Sequence, residues 1–263
     1  MIFGMPVLIE NSDLRQNVAL CRRLGLDFIE LNMNFPEYQL TALANADLIG
    51  ITKNTGIFFT LHLDERMDIA DFNPLVSRAY LETARRAILL AASAEIPLLN
   101  MHMNPGIYIT LPDRKVRMYE RNKKDYLASF RQLRDLCEET AGGSGLKIGL
   151  ENTNGFADYE REAIEYLLES PLFCLTWDIG HSRAAGETDE PFLLAHKDRL
   201  GHFHIHDAIG ETKQNHLALG DGEIDLNGRL SLARETGSRC VVETKTAAAL
   251  EKSVTWLKEN GWR

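Results

Sequence analysis

Eight times along 263 residues a short apolar, β-branched run is followed by a longer amphipathic stretch. The short runs lie near Ile2–Ile9, Phe28–Asn32, Ile57–His62, Leu98–His102, Lys147–Glu151, Phe173–Asp178, His202–His206 and Cys240–Thr244. The amphipathic stretches are Asp13–Leu24, Thr41–Asn54, Asn73–Ala94, Asp125–Ala141, Tyr159–Glu169, Glu190–Lys197, Asn227–Glu235 and Ala247–Asn260. Short, continuously apolar runs are what parallel strands covered on both faces look like in sequence. Eight strand–helix units in about 250 residues predict α/β architecture, a (β/α)8 barrel forming one domain over residues 1–263. The competing fold, an open doubly wound sheet, calls for a glycine-rich phosphate turn after an early strand. Neither GxGxxG nor GxxxxGK[ST] occurs.

Charge narrows the partners. Lys plus Arg number 29 against 38 Asp plus Glu, a net charge of −9, and the pI is near 5.4. That balance lacks the overall basic footprint of nucleic-acid binding, so nucleic acid is not the expected partner. No apolar run approaches the roughly 18–20 residues of a membrane span. The segment Met1–Glu10 has no basic n-region, so no signal peptide is expected. Cys21, Cys137, Cys174 and Cys240 are scattered without a CxxC pair and fall in helical or strand patterns. They read as buried thiols of a cytoplasmic protein.

In a barrel of this kind chemistry sits at the C-terminal ends of the strands. Six successive runs end in polar side chains: His62 and Asp64, Asn100, His102 and Asn104, Glu151 and Asn152, Asp178 and His181, His204 and Asp207, Glu243 and Lys245. One such residue is as readily a helix cap or a loop anchor. Six together crowd charge at one mouth, and a divalent cation relieves that. In the seventh run His202, His204 and His206 share a face by the two-residue strand period, His202 deepest. Mixed His, Asp and Glu donors suit manganese, zinc, cobalt or iron, with magnesium less favoured.

The strand ends LENT (150–153), WDIGHS (177–182), GHFHIHD (201–207), HLALGDGEID (216–225) and VVETK (241–245) resemble the xylose isomerase-like barrel superfamily, which holds sugar-phosphate isomerases and epimerases together with endonuclease IV. The resemblance spans about the whole chain. It implies metal ligands at Glu151, Asp178, His204 and Glu243, and a substrate-oxygen contact at His181. His62, His102, His181 and His216 match positions that hold further zinc ions in endonuclease IV. The acidic partner two residues before His216 is replaced by Gln214, so a full three-metal site is not expected. The arginine that ketose epimerases often carry after the seventh strand is absent from Ala208-Ile-Gly210.

The expectation is therefore a metal-dependent carbohydrate isomerase or epimerase working through an enediolate on a sugar, sugar phosphate or inosose. One divalent ion (manganese, zinc, cobalt or magnesium) is expected, with a second left open at the surplus histidines. Glu151 and Glu243 would act as base and acid, and His181 would hold the reacting oxygen. Asn100, Asn152 and Lys245 are candidate substrate contacts, with loop anchoring the competing role for the asparagines. The alternatives are an endonuclease IV-like phosphodiesterase on abasic DNA, a dehydratase using the same enolate chemistry, and a non-catalytic sugar-binding barrel. Arg114, Lys115, Arg117, Arg121, Lys123 and Lys124 crowd one stretch, read as a solvated helix entrance or as a basic lid over an anionic substrate.

Overall fold

A computed structural model describes residues 1–210 and 214–263. The chain runs β1 (Ile2–Pro6), α1 (Leu14–Leu24), β2 (Phe28–Asn32), α2 (Leu40–Leu43), α3 (Leu48–Thr55), β3 (Phe58–His62), α4 (Pro74–Ser93) and β4 (Leu98–His102). It continues with β5 (Tyr108–Thr110), β6 (Lys115–Arg117), α5 (Met118–Arg121), α6 (Lys123–Ala141), β7 (Lys147–Glu151), α7 (Asp158–Leu168), β8 (Phe173–Asp178) and α8 (Ile179–Ala184). The last part is α9 (Glu190–Ala195), β9 (Leu200–Ile205), α10 (Leu226–Glu235), β10 (Arg239–Val242) and α11 (Ala247–Glu259). Eight strands close into a barrel in the order β1-β10-β9-β8-β7-β4-β3-β2, every pair parallel. This is the (β/α)8 barrel that the sequence predicts.

The helices start and stop where their ends are satisfied. Asp13 caps α1 by accepting from the Gln16 amide at 2.9 Å, and Gly25 ends it at φ 73°. The helix then buries Val18, Leu20, Cys21 and Leu24 against the sheet. Asn73 caps α4 with Pro74 at the first helical position, where its missing N–H costs nothing. Leu81, Ala84, Ala87, Ile88 and Ala91 of that helix are buried, at the three- and four-residue steps of one helical face. All four cysteines are buried thiols.

Three boundaries differ from the sequence reading. The stretch Thr41–Asn54 is two helices, because Asp47 caps a fresh start by accepting from the Gly50 amide at 2.9 Å. The seventh strand begins at Leu200 and ends at Ile205, which leaves His206 just beyond it. The basic stretch does not simply enter a helix. Lys115–Arg117 pairs antiparallel with Tyr108–Thr110 in a short hairpin on the loop after β4. Tyr119 and Tyr159 hold this region down, the first donating to Asp68 at 2.7 Å and the second to the Pro105 carbonyl at 3.0 Å.

The barrel interior departs from the aliphatic layers usual in such folds. Glu30, Thr60, Asn100, Thr176 and His202 are buried and hydrogen-bond across it. Gly149 leaves room for one of these links, since a Cβ there would lie 2.3 Å from Thr176 Oγ1. No helix among the described residues is long and apolar enough to cross a membrane.

Candidate functional site

The four residues read as ligands come from β7, β8, β9 and the turn after β10, and their donor atoms converge. Nδ1 of His204 lies 3.2 Å from Glu151 Oε1, 3.1 Å from Glu243 Oε2 and 3.9 Å from Asp178 Oδ2. One ligand atom from each residue fits within a mutual distance of 4.8 Å. Three carboxylates and one imidazole form the mixed oxygen and nitrogen set that a divalent cation takes. The atoms are also left over by the protein itself. Nδ1 of His204, Nδ1 of His181 and Oε2 of Glu243 are buried without a hydrogen-bond partner among the described residues. Buried polar atoms are rarely left so, and an ion at their centre would satisfy them together. The residues present fit a metal.

Each glutamate has one oxygen tied down and the other turned to this centre. Glu151 Oε2 receives Asn100 Nδ2 and stands 3.2 Å from His62 Nε2 and 3.4 Å from His102 Nε2. Glu243 Oε1 pairs with Lys245 Nζ at 2.7 Å. The Glu151 side chain is 1% exposed, whereas that of Glu243 is 14% exposed toward the mouth.

Electrostatics follow the geometry. Burial alone would raise the pKa of Glu151, but the His204 and His102 imidazoles hold it well below the usual range. Burial is likewise overcome at Glu243 by His204 and Lys245, and at Asp178 by His181 and His206. His62 rises to about 9, the Glu151 carboxylate outweighing desolvation. His216 goes the other way, pushed down to about 4 by burial and by His206.

The second histidine set sits beside Asp178. Nδ1 of His181 is 3.3 Å from Asp178 Oδ2, and Nε2 of His206 is 3.0 Å from Asp178 Oδ1. His181, His206 and His216 form one cluster, and His62, His102 and Glu151 another. His206 was not among the candidate site residues. Its two-residue spacing from His204 was the available signal. Gly180 of WDIGHS is required by this packing, because a Cβ there would fall 1.8 Å from His206 Cε1.

Of the other expected contacts, both ends of the Asn152 amide are engaged by protein. It donates to the Asp178 carbonyl at 2.9 Å and to Ser182 Oγ at 3.1 Å, and accepts from the Asp178 amide at 2.8 Å. Asn100 is equally committed, giving to Glu151 and accepting from Thr176 at 2.6 Å. Both therefore hold Glu151 and Asp178 in place. Asp207 organises the HLALGDGEID loop, its carboxylate accepting from Ala208, Gly220 and Ile224 at 2.9–3.1 Å. The Ile209 amide donates to the Gln214 carbonyl at 3.1 Å.

A cavity of about 390 Å³ opens at this end, lined by Arg66, His102, Asn104, Thr153, His181 and Asn215. A larger one, about 490 Å³, lies at the opposite end of the strands among Lys147, Arg199 and Arg239. The smaller cavity is the one beside the converging carboxylates, since its lining residues His102 and His181 stand 3.4 Å from Glu151 and 3.3 Å from Asp178. The basic hairpin does not line the smaller one. Arg114 is exposed and paired with Asp113 at 2.6 Å, and Arg117 lies over the Tyr108 ring.

Residues 18–260 match the model of the xylose isomerase-like TIM barrel family. The chain belongs to that family. Among curated relatives, an uncharacterized protein of Methanocaldococcus jannaschii is 28% identical over 185 residues, 68% of this chain and 67% of that protein. The inosose isomerase of Bacillus velezensis is 26% identical over 270 residues, 93% of this chain and 87% of that enzyme. Two solved structures show how widely the family barrel is shared. A D-tagatose 3-epimerase-like protein superposes with TM-score 0.79 at 23% identity, covering 98% of this chain and 96% of that one. A zinc-bound IOLI protein superposes with TM-score 0.74 at 18% identity, covering 99% and 96%.

Proposed function

We propose that this protein is a divalent-metal-dependent carbohydrate isomerase or epimerase. The observation that carries the reading is the pair of glutamates, Glu151 and Glu243, facing each other across His204 Nδ1 at 3.2 and 3.1 Å. Sugar isomerisation and epimerisation move a proton at a carbon next to a carbonyl, which needs an acid and a base on the substrate. The inosose isomerase and the tagatose epimerase-like protein support the substrate class, and the zinc-bound relative supports a metal.

Glu151, Asp178, His204 and Glu243 would hold the ion. When bound, it supplies Lewis acidity that polarises a substrate carbonyl and stabilises the negative charge of an enediolate. Glu243 is the more open carboxylate, with Lys245 steadying one oxygen, and takes or returns the carbon-bound proton from the mouth side. Glu151, fixed by Asn100, acts from the opposite side. His181, half-buried between Asp178 and the cavity, donates to the reacting oxygen. Asp178 is kept in place by Asn152 and by capping α8, its carboxylate accepting from the His181 amide at 2.6 Å. A dehydratase would draw on the same groups.

The test is isotopic. Ion-loaded protein, turned over in deuterated water with ketoses, inososes and their phosphates, should leave deuterium next to the carbonyl, and Glu243→Gln should suppress it. Ion content measured on the same samples separates a lost base from a lost ligand. The extra clusters His62–His102–Glu151 and His181–His206–His216 favour a second reading, phosphodiester hydrolysis with more than one ion. Two or more ions per chain, no deuterium with any sugar and cleavage of abasic DNA would establish it instead.

A further inference from the structure

Beneath the converging ligands this chain buries a carboxylate where a barrel ordinarily packs aliphatic side chains. Glu30 comes from β2, a strand that supplies none of the proposed ligands, and it is 3% exposed. Removing a carboxylate from water costs several kcal/mol unless donors replace the lost hydration. Two donors and a further ring nitrogen converge on this one. Glu30 Oε2 accepts from Thr60 Oγ1 at 2.8 Å and from His202 Nε2 at 3.1 Å, and Oε1 lies 2.8 Å from His204 Nε2.

The third contact has a chemical consequence. A neutral imidazole carries its proton on one nitrogen and a lone pair on the other. His204 turns Nδ1 toward Glu151 and Glu243, so that nitrogen must be the bare one if it is to meet a cation. Its proton must then sit on Nε2, which has no aligned hydrogen-bond partner among the described residues and stands 2.8 Å from Glu30 Oε1. His202 completes the support, its ring 5.3 Å from that of His204 at 74°, a wall against rotation. We infer that Glu30 is a positioning residue: through Nε2 it fixes the tautomer and orientation in which His204 meets the ion, and Thr60 and His202 fix Glu30 in turn. Carboxylate–histidine–metal chains of this kind commonly govern ion affinity.

The inference rests on the proposed metal-dependent reading, and the experiment separates the two. Zinc binding by the full chain is measured by competition with a chromogenic chelator, alongside the ring nitrogen shifts of His204 in the zinc-loaded protein. Glu30→Gln leaves one acceptor oxygen where Thr60, His202 and the nearby His204 Nε2 face a carboxylate, so zinc affinity should fall about 10–100-fold while the protein stays folded. Glu30→Asp should recover part of the loss. The wild-type ring should show its proton on Nε2. A folded Glu30→Gln variant that binds zinc as tightly as the wild type, or a zinc-loaded His204 with no proton on Nε2, overturns the inference. If Glu30→Gln does not fold, Thr60→Val removes one donor at nearly constant shape and is read the same way, with unchanged affinity counting against. A wild-type protein that binds no zinc, manganese or cobalt overturns the metal-dependent reading itself, and Glu30 with it.

Discussion

His216 donates its backbone N–H to Nδ1 of His206 at 2.8 Å, from a left-handed backbone at φ 53°. The accepting Nδ1 must be bare, so His206 carries its proton on Nε2 and gives it to Asp178 at 3.0 Å. A non-glycine residue in this backbone region costs of order 1–3 kcal/mol and persists where its surroundings demand it. Here the demand comes from a candidate ligand, reached through one intervening ring. His206→Leu should therefore loosen Asp178, lowering ion affinity as well as thermal stability. At position 216 asparagine, which tolerates the left-handed region, should unfold within about 1 kcal/mol of wild type, and valine should cost about 1–3 kcal/mol more than asparagine. Denaturant titrations of the three variants decide it.

Gly180→Ala is the complementary change on the other side of the same ring. The added methyl would sit 1.8 Å from His206 Cε1, so ring or helix α8 must move. Overpacking of this kind costs typically 1–3 kcal/mol. We expect a lower melting temperature and a parallel loss of ion affinity. A variant that melts lower but keeps its affinity would show that the ring moves without disturbing Asp178.

A pH effect is expected in the first turn of α7. Burial raises the pKa of Glu160 to about 7 from an ordinary 4.5, against the opposing hydrogen bond from the Ala157 amide. A raised acid favours the protonated fold: its contribution is fully present below pH 4.5 and is lost as pH rises through about 7. Glu160→Gln keeps an acceptor for Ala157 and removes the charge. It should be more stable than wild type at pH 8, by roughly 1–3 kcal/mol, and no more stable at pH 4. Equal melting temperatures at pH 8 would count against it.

The basic hairpin gives a prediction of indifference. Arg114 pairs with Asp113 and neither Arg114 nor Arg117 lines the mouth cavity. Replacing both by alanine should change KM less than about twofold for neutral and phosphorylated substrates alike, the result expected of a solvated charge run. A steep rise confined to phosphorylated substrates would mean that the hairpin closes onto the substrate.

The architecture was legible because its signals are local and repeated: apolar runs of strand length, each with a polar residue at the same end. Glu151, Asp178, His204 and Glu243 stand out for that reason, and these are the residues that the barrel brings within 4.8 Å. Glu30 did not stand out. In Phe28-Ile-Glu-Leu-Asn32 it is a lone acid in an ordinary strand, and only closure of the barrel places it under His204. Neighbours across the barrel are invisible to a linear pattern. The hairpin was hidden differently, since Tyr108–Thr110 and Lys115–Arg117 are each three residues long and the second reads as charge. Asn152 looked like a substrate contact because it follows Glu151, yet its partners lie about 26–30 residues away in sequence.

Closure of the sheet through β1 and β10 ties the order of synthesis to the appearance of chemistry. Ile2, Phe3 and Gly4 pair with Arg239, Cys240 and Val241, so the strand made first waits for the strand made last. Glu243 follows that strand immediately and takes its place by donating its amide to the Ile205 carbonyl at 2.9 Å. A chain stopped short of it leaves two unpaired sheet edges, prone to sticking to other chains, and also lacks one of the four converging donors. Such a fragment could neither hide its edges nor bring Glu243 to the other three side chains, so an unfinished barrel is also an unfinished candidate site.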